Sequence, residues 1–561
     1  MTEKLLNAPP FVHPMKKDAV ESSKVGKVED INDQYPPVRT LAGVMLALYL
    51  CMFLVALDRI IISTAIPKIT DEFKSIADIG WYGSAYVLTG CVTQLAFARL
   101  YVFYNNKTVF LSAVMLFEIG SVICGAARSS IAFILGRAIA GCGAAGVFSG
   151  VIIIMIPLVP LAKRPMYQGM LGAIFGISSV IGPLVGGAFT SNEHLTWRWC
   201  FFINLPIGAI AMLLVLWMLR LSPPDKSTLS LKEKMIRMDP LGNLLFAPAI
   251  VCLLLALQWA GSTYEWQDGK IIALFVLFGV FLAAWVGSQA YAGKNATVPP
   301  HVFMQRSIMA GMWFSACIGG VMLSMGYYLP IWFQAIDDVD ALQSGIRGIP
   351  FVTALVISSI VAGIFVSKVG YYSPCIILCS VIMSAGAGMM TTLRVNSGNA
   401  EWIGYQVLAG LGMGLGMQLS GLAAQVVLAA EDVPVGASLM IFSQQLGSSI
   451  FVCVAQNVFL QQLVSNLTKI LGTKAASLLS KVGATDIRTY VPPSLLPTVL
   501  EQYNKSIVTT FYVGVGVSCM SIIPALTFEW KSVKGLKGGP HTEQVKTGTR
   551  VLVKGRRDAG K

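Results

Sequence analysis

The chain has 561 residues and a formal net charge of +13, with 55% hydrophobic and only 12% charged residues, against roughly a quarter charged in soluble domains. That balance excludes a water-soluble globular protein. The apolar residues fall in runs of about 20, the length at which a helix crosses the roughly 30 Å hydrocarbon layer with its backbone groups satisfied. In such a chain the basic residues belong where loops meet the cytoplasmic leaflet, so no nucleic-acid partner is expected.

Residues 1–40 are polar and carry Lys4, Lys16, Lys17, Lys24, Lys27 and Arg39 against as many acids. No short apolar core follows a basic start, so a cleaved secretory signal is not expected and the first span acts as its own insertion signal. Spans are predicted near 41–66, 80–98, 109–127, 131–156, 168–189 and 199–219. A charged break at 220–239 follows, in which Arg220, Lys226, Lys232, Lys234 and Arg237 outweigh the acids. Two linker spans, near 240–260 and 271–291, occupy the segment 240–293. The C-terminal unit, 294–460, holds spans near 309–333, 348–367, 374–393, 402–429 and 435–460; a long loop, 461–506, then leads to a last span at 507–528 and a basic tail, 529–561. The expected total is about fourteen all-α spans, grouped six, two and six.

An even count puts both ends on one side, and the tail carries Lys531, Lys534, Lys537, Lys546, Arg550, Lys554, Arg556, Arg557 and Lys561. The positive-inside rule makes that side cytoplasmic. Arg99, Lys107, Lys163, Arg164, Lys294 and Arg306 fall there too, while Asp337, Asp338 and Asp340 fall opposite; the loop of Glu431 and Asp432 is the one dissent. The 461–506 loop is then external, and its Asn466-Leu-Thr468 and Asn504-Lys-Ser506 are candidate glycosylation sites. Asn106-Lys-Thr108 and Asn295-Ala-Thr297 match the same pattern on the cytoplasmic side. The 11 cysteines lie almost wholly inside apolar runs with no CxxC pair, which reads as buried free thiols; even Cys375 and Cys379, one helical turn apart, suggest no metal site.

Charges inside a bilayer cost several kcal/mol unless paired or wetted, so the four that interrupt these spans are the first functional candidates. They are Asp58, Arg59, Glu118 and Arg137. The first span runs outward and the fourth inward, which brings Asp58 and Arg137 to comparable depth in the outer half, where they can pair. Glu118 lies nearer the midplane with no sequence-local partner, and a carboxyl so placed is a candidate to load and release a proton. The alternative for each is a purely structural role: a pair holding two helices together, and a neutral, hydrogen-bonded glutamate. A second group is glycine. Gly176, Gly182, Pro183, Gly186 and Gly187 share one span, where the proline removes a backbone hydrogen bond and the glycines allow close helix approach. Gly141, Gly143 and Gly146 follow Arg137 in the same manner one span earlier.

These residues resemble the major facilitator superfamily, and within it the fourteen-span drug:proton antiporters of fungi that include toxin and secondary-metabolite efflux pumps. Gly176–Gly187 resembles the antiporter motif of the fifth span; Arg137–Ala145 the fourth-span motif whose arginine is implicated in proton transfer; and Leu57-Asp58-Arg59-Ile-Ile-Ile-Ser-Thr-Ala-Ile-Pro67 the first-span signature. Trp197-Arg-Trp-Cys-Phe-Phe-Ile-Asn204-Leu-Pro206-Ile-Gly208 and Gly80-Trp-Tyr-Gly-Ser-Ala-Tyr86 are nearer still to the fungal members, and Gln444-Gln445-Leu-Gly447 adds a weaker match in the second half. Two departures stand out: Ala98 to Lys107 lacks the glycine and acid of the family's loop motif, and Ala140 replaces a glutamine common in relatives.

The resemblance implies a major facilitator fold, two six-helix bundles plus two extra central spans, and export of small, largely apolar metabolites by proton antiport. Asp58, Arg137 and Glu118 would carry coupling, and Gly176, Gly182, Pro183, Gly186 and Gly187 the conformational change. Neutral amides among aromatic and methionine side chains, namely Gln94, Gln418, Gln425, Gln444 and Gln456, suit bulky, weakly polar ligands and are the candidate cavity residues. The partners implied are protons, the cargo and the bilayer, with the chain monomeric and in the plasma membrane, or else a vacuolar or vesicle membrane. A proton-coupled importer, for instance of iron chelates, is the alternative on the same fold. An ATP-driven pump would need a Gly-Lys-Ser or Gly-Lys-Thr phosphate loop, which is absent from the sequence. A membrane enzyme would need a convergent acid–base or metal set, whereas His13, His194, His301 and His541 are scattered over tails and loops. A channel would need neither two related halves nor a coupling carboxyl. No cofactor and no metal are expected.

Overall fold

A computed structural model describes residues 35–75, 78–192, 195–219, 229–261, 263–471, 491 and 493–534. Among them are fourteen helices long and apolar enough to cross a membrane. They are α1 (Val38–Phe73), α2 (Ile79–Phe103), α3 (Asn106–Ala126), α4 (Ser130–Leu158), α5 (Arg164–Ser191), α6 (Trp199–Met218), α7 (Pro240–Trp259), α8 (Gly269–Ala292), α9 (Arg306–Ile336), α10 (Ile349–Val369), α11 (Ser373–Met390), α12 (Asn399–Val427), α13 (Val433–Leu471) and α14 (Leu496–Thr527). No strand occurs among the described residues.

The helix ends follow local chemistry. Asn105, Ser129, Asp239 and Asp268 accept hydrogen bonds from first-turn amides, and α5, α7, α10, α11 and α14 start with a proline, whose missing N–H costs nothing there. The predicted span 402–429 is broken: helix runs to Gly416 and resumes at Leu419, after the glycine-rich stretch Gly410 to Gly416. The predicted external loop, 461–506, is mostly helix in its described part, because α13 continues to Leu471 and α14 begins at Leu496. Both extensions are amphipathic. Leu463, Leu467, Val499 and Tyr503 are buried while Gln461, Gln462 and Glu501 are exposed, and a reading based on continuous apolar runs ends such helices too soon. The charged break, 220–239, contains a short helix, Leu231–Arg237, opened by a reciprocal cap between Ser230 and Glu233. The tail 1–34, the segments 193–194, 220–228 and 472–490 and the tail from 535, with His13, His194, His541 and most of the predicted basic C-terminal tail, lie outside the described residues.

Two bundles result. In the first, α1 packs on α5 and α6, and α4 on α2 and α3; in the second, α9 packs on α13 and α14, and α12 on α10 and α11. Small residues set the spacing: a methyl on Gly412 would meet the backbone of Met383 in α11, and one on Gly447 the backbone of Ala316 in α9. The bundles meet along α5 with α10 and α2 with α13. The linker helix α7 touches α2 and α13, so it lies over that seam, and α8 packs on α7. Only 6% of the most apolar stretch of α8 is buried against 78% for α4, which makes α8 peripheral.

Candidate functional site

The centre of the first bundle is an ion pair. Arg137 on α4 donates from Nη1 to Asp58 Oδ2 on α1 at 2.6 Å, and both side chains are fully buried. Arg137 Nε donates to the carbonyl of Tyr82 at 3.0 Å, and its guanidinium lies 4.4 Å from the ring centre of Tyr86 and 6.0 Å from that of Phe201. Asn204 on α6 donates to Asp58 Oδ1 at 3.3 Å and to Ser121 Oγ at 3.2 Å. Tyr82 and Tyr86 belong to the stretch Gly80–Tyr86, and Phe201 and Asn204 to the stretch Trp197–Gly208. Two motifs noticed for their resemblance to the fungal members thus turn out to build the pocket of the pair. The sequence reading named the pair and missed Tyr86, Ser121 and Asn204; membership in those motifs was the available signal. The same stretch ties down one end of the bundle, where Arg198 grips both oxygens of Glu72 at 2.8 and 3.0 Å and Trp197 Nε1 donates to it at 2.7 Å.

Glu118 stands one helical turn before Ser121 on α3 and is 6% exposed. Neither carboxyl oxygen has a hydrogen-bond partner among the described residues. It faces Gly208, one turn beyond Asn204 on α6, where a methyl group would overlap the carboxyl. The α3–α6 contact therefore pairs Ser121 with Asn204 and Glu118 with a gap that glycine provides. Ala140, which departs from the family pattern, is fully buried and packed directly against Gly120 of α3.

Between the bundles lies a cavity of about 770 Å³, within the usual range for small-molecule sites. Its walls come largely from the second halves of α1, α5 and α9 and the first turns of α10, so it lies toward the face opposite that where α1 begins. Pro67, Pro183 and Pro330, each inside a helix, line it. On α5, Gly182 and Gly186 abut Ile60 and Ile61 of α1, Gly176 abuts Val356 of α10, and Pro183 and Gly187 face the cavity. Gly169 and Gly172, not singled out from sequence, continue the α10 contact against Ser359. Of the predicted amides, Gln418 and Gln444 line the cavity, together with Gln334, Gln406 and Gln445, which were missed.

Gln94, Gln425 and Gln456 do not line it. Gln94 is fully buried behind Gln445, donating to Ser149 at 2.6 Å and accepting from Gln445 at 3.4 Å; Ser149 in turn bonds Ser438 at 3.0 Å. Gln425 accepts from Arg164 at 3.4 Å, and Gln456 is exposed. These bonds, with Ser359 donating to the carbonyl of Gly169 at 3.0 Å, join the two bundles in the half of the molecule where α1 begins. Asn466 and Asn504 are also placed differently from expectation. They are 6% and 8% exposed, and they bond Ser506 and Trp332 at 3.1 and 2.6 Å, so both are packing residues on helices with no room for a glycan. All eleven cysteines are free.

The sequence profile of the Major Facilitator Superfamily matches residues 48–452. The chain is 49% identical over 504 residues to the MFS-type transporter VdtG of Byssochlamys spectabilis, covering 90% of each chain. It is 47% identical to the MFS-type efflux pump MFS1 of Arthroderma benhamiae, over 93% of this chain and 98% of that one. It is 47% identical to the rubrofusarin-specific efflux pump aurT of Gibberella zeae, over 90% and 92%. Among solved structures, the fold is similar to a bacterial homologue of the human lysosomal transporter Spinster (TM-score 0.55, 16% identity, 88% of this chain and 98% of that one) and to the proton:xylose symporter XylE (TM-score 0.55, 14% identity, 87% and 95%). The chain therefore belongs to the major facilitator superfamily and is a multi-pass membrane transporter, not an enzyme.

Proposed function

We propose that this transporter exports small, largely apolar metabolites in exchange for protons by alternating access, with both termini cytoplasmic in the plasma membrane and the monomer as the working unit. The observation that carries the coupling is the fully buried Asp58–Arg137 pair at 2.6 Å, joined to α6 through Asn204 and adjoining the unpartnered Glu118. Exporting a neutral molecule uphill needs an energy source, and a buried carboxylate can carry a proton without the coordination cage a metal cation requires. While the pair is closed, Arg137 occupies Asp58 Oδ2. Rocking of the bundles separates α1 from α4, and a carboxylate left alone among apolar groups takes a proton from the external side. Re-forming the pair returns that proton on the internal side, and Glu118 is the second group able to receive it. The glycines of α5, squeezed between α1 and α10, let the two bundles move as bodies.

The names of the relatives support the outward direction, since several are efflux pumps and one is specific for rubrofusarin. Labelled rubrofusarin is thus a reasonable first cargo. Cells carrying the chain are expected to retain less of it than cells lacking the chain, and a protonophore to abolish the difference. Greater retention would reverse the direction to import, and indifference to the protonophore would remove the coupling.

A further inference from the structure

The central cavity holds one charged side chain among its described lining residues, and it is a cation: Arg59. The other polar groups there are neutral amides, hydroxyls and Tyr327. Arg59 is partly exposed to this space and makes no hydrogen bond or ion pair among the described residues. The neighbouring acids are committed elsewhere. Asp58, one residue earlier, points about 100° away around the helix, and its two oxygens are taken by Arg137 and Asn204. Glu118 faces Gly208 of α6.

An uncompensated guanidinium at membrane depth is costly, and it persists where a partner arrives to meet it. We infer that the cargo of this transporter carries one acidic oxygen, a carboxylate or an ionised enol or phenol, on an otherwise apolar body, and that Arg59 is the residue that selects it. The rest of the wall fits that body: Phe148, Phe175 and Phe351 supply apolar faces, and Gln334 and Gln444 supply neutral hydrogen bonds. The guanidinium offers parallel N–H donors to such an anion, two of them to a carboxylate. This inference rests on the cavity being the cargo site and makes no use of the direction of transport or of the proton step.

Binding to the purified full-length protein in detergent at pH 7.5, followed by calorimetry, tests it with a matched pair of probes, 2-naphthoate and 2-naphthamide. Wild-type protein is expected to bind the acid at least about tenfold more tightly than the amide, a difference typical of a charge-assisted hydrogen bond. Arg59→Gln should abolish that preference by weakening the acid alone, whereas Arg59→Lys should keep part of it. Equal affinity of wild type for the two probes, no binding of either, or a preference that survives Arg59→Gln would overturn the inference. Efflux measured separately in cells distinguishes this from failure of the export reading, because a transporter of the wrong direction would still show the charge preference.

Discussion

The two bundles bury the same kinds of apolar side chain but different polar ones. Among the described residues every buried charged side chain falls between Asp58 and Asp239: Asp58, Arg99, Glu118, Arg137, Lys234 and Asp239. From Gln289 onward the buried polar residues are serines, threonines, glutamines and asparagines. The closest counterpart of the ion pair in the second bundle is neutral, with Trp332 donating to Asn504 at 2.6 Å and Asn504 donating to the carbonyl of Leu393 at 3.1 Å. A neutral pair of this kind fixes helix positions and cannot exchange a proton near physiological pH. On the proposed reading proton chemistry belongs to the first half, while both halves line the cavity and the second contributes its amides, Gln334, Gln406, Gln418, Gln444 and Gln445.

The largest expected effect comes from unbalancing the charged half. Arg137→Ala leaves Asp58 buried without its cation, a loss of about 3–5 kcal/mol, so the purified protein should melt at a lower temperature and show no uphill efflux. Asn504→Leu in the second half should lower the melting temperature through a lost hydrogen bond while efflux stays proton-driven. If the asparagine variant also lost its response to the proton gradient, the division between halves would fail.

Next in size is the gap beside Glu118. Gly208→Val fills the space its carboxyl occupies, and overpacking of this kind costs about 1–3 kcal/mol. A drop of roughly tenfold in proton-driven efflux is expected, with Gly208→Ala intermediate. Unchanged efflux from Gly208→Val would show that Glu118 has room to move and takes no part in coupling.

Smallest is the seam between the halves. Gln445→Leu removes the bond to Gln94 on the side where α1 begins, worth about 0.5–1.5 kcal/mol. The resting equilibrium should shift a few-fold toward opening on that side. Faster labelling of a cysteine placed at Ser438, with efflux kept within a few-fold of wild type, would record the shift; labelling at the original rate would show that the bond does not help close the seam.

The first half was more legible in the sequence than the second, for a physical reason. A charge in a span is expensive, so Asp58, Glu118 and Arg137 announce themselves in one dimension, and the alternating direction of the spans is enough to bring Asp58 and Arg137 to one depth. Neutral residues carry no such signature. Gln418 and Gln425 lie two helical turns apart on one span, yet one faces the cavity and the other meets Arg164, and Gln418 sits in the break between Gly416 and Leu419 that apolar counting does not show. Asn466 and Asn504 match a glycosylation pattern by composition, while their burial depends on helix extensions that apolar-run counting stops short of. Arg59 was visible as a charge, but its lack of a partner became apparent only once Asp58 was seen to be fully engaged by α4 and α6.

The most direct test of the account is Asp58→Asn in proteoliposomes, a substitution that keeps shape and burial and removes the ionisable oxygen. Two rates are compared with those of the unmutated protein: uphill movement of a labelled cargo driven by an imposed pH gradient, and exchange of labelled for unlabelled cargo without one. Loss of the uphill rate with exchange retained is the predicted result; full uphill transport by Asp58→Asn would contradict it.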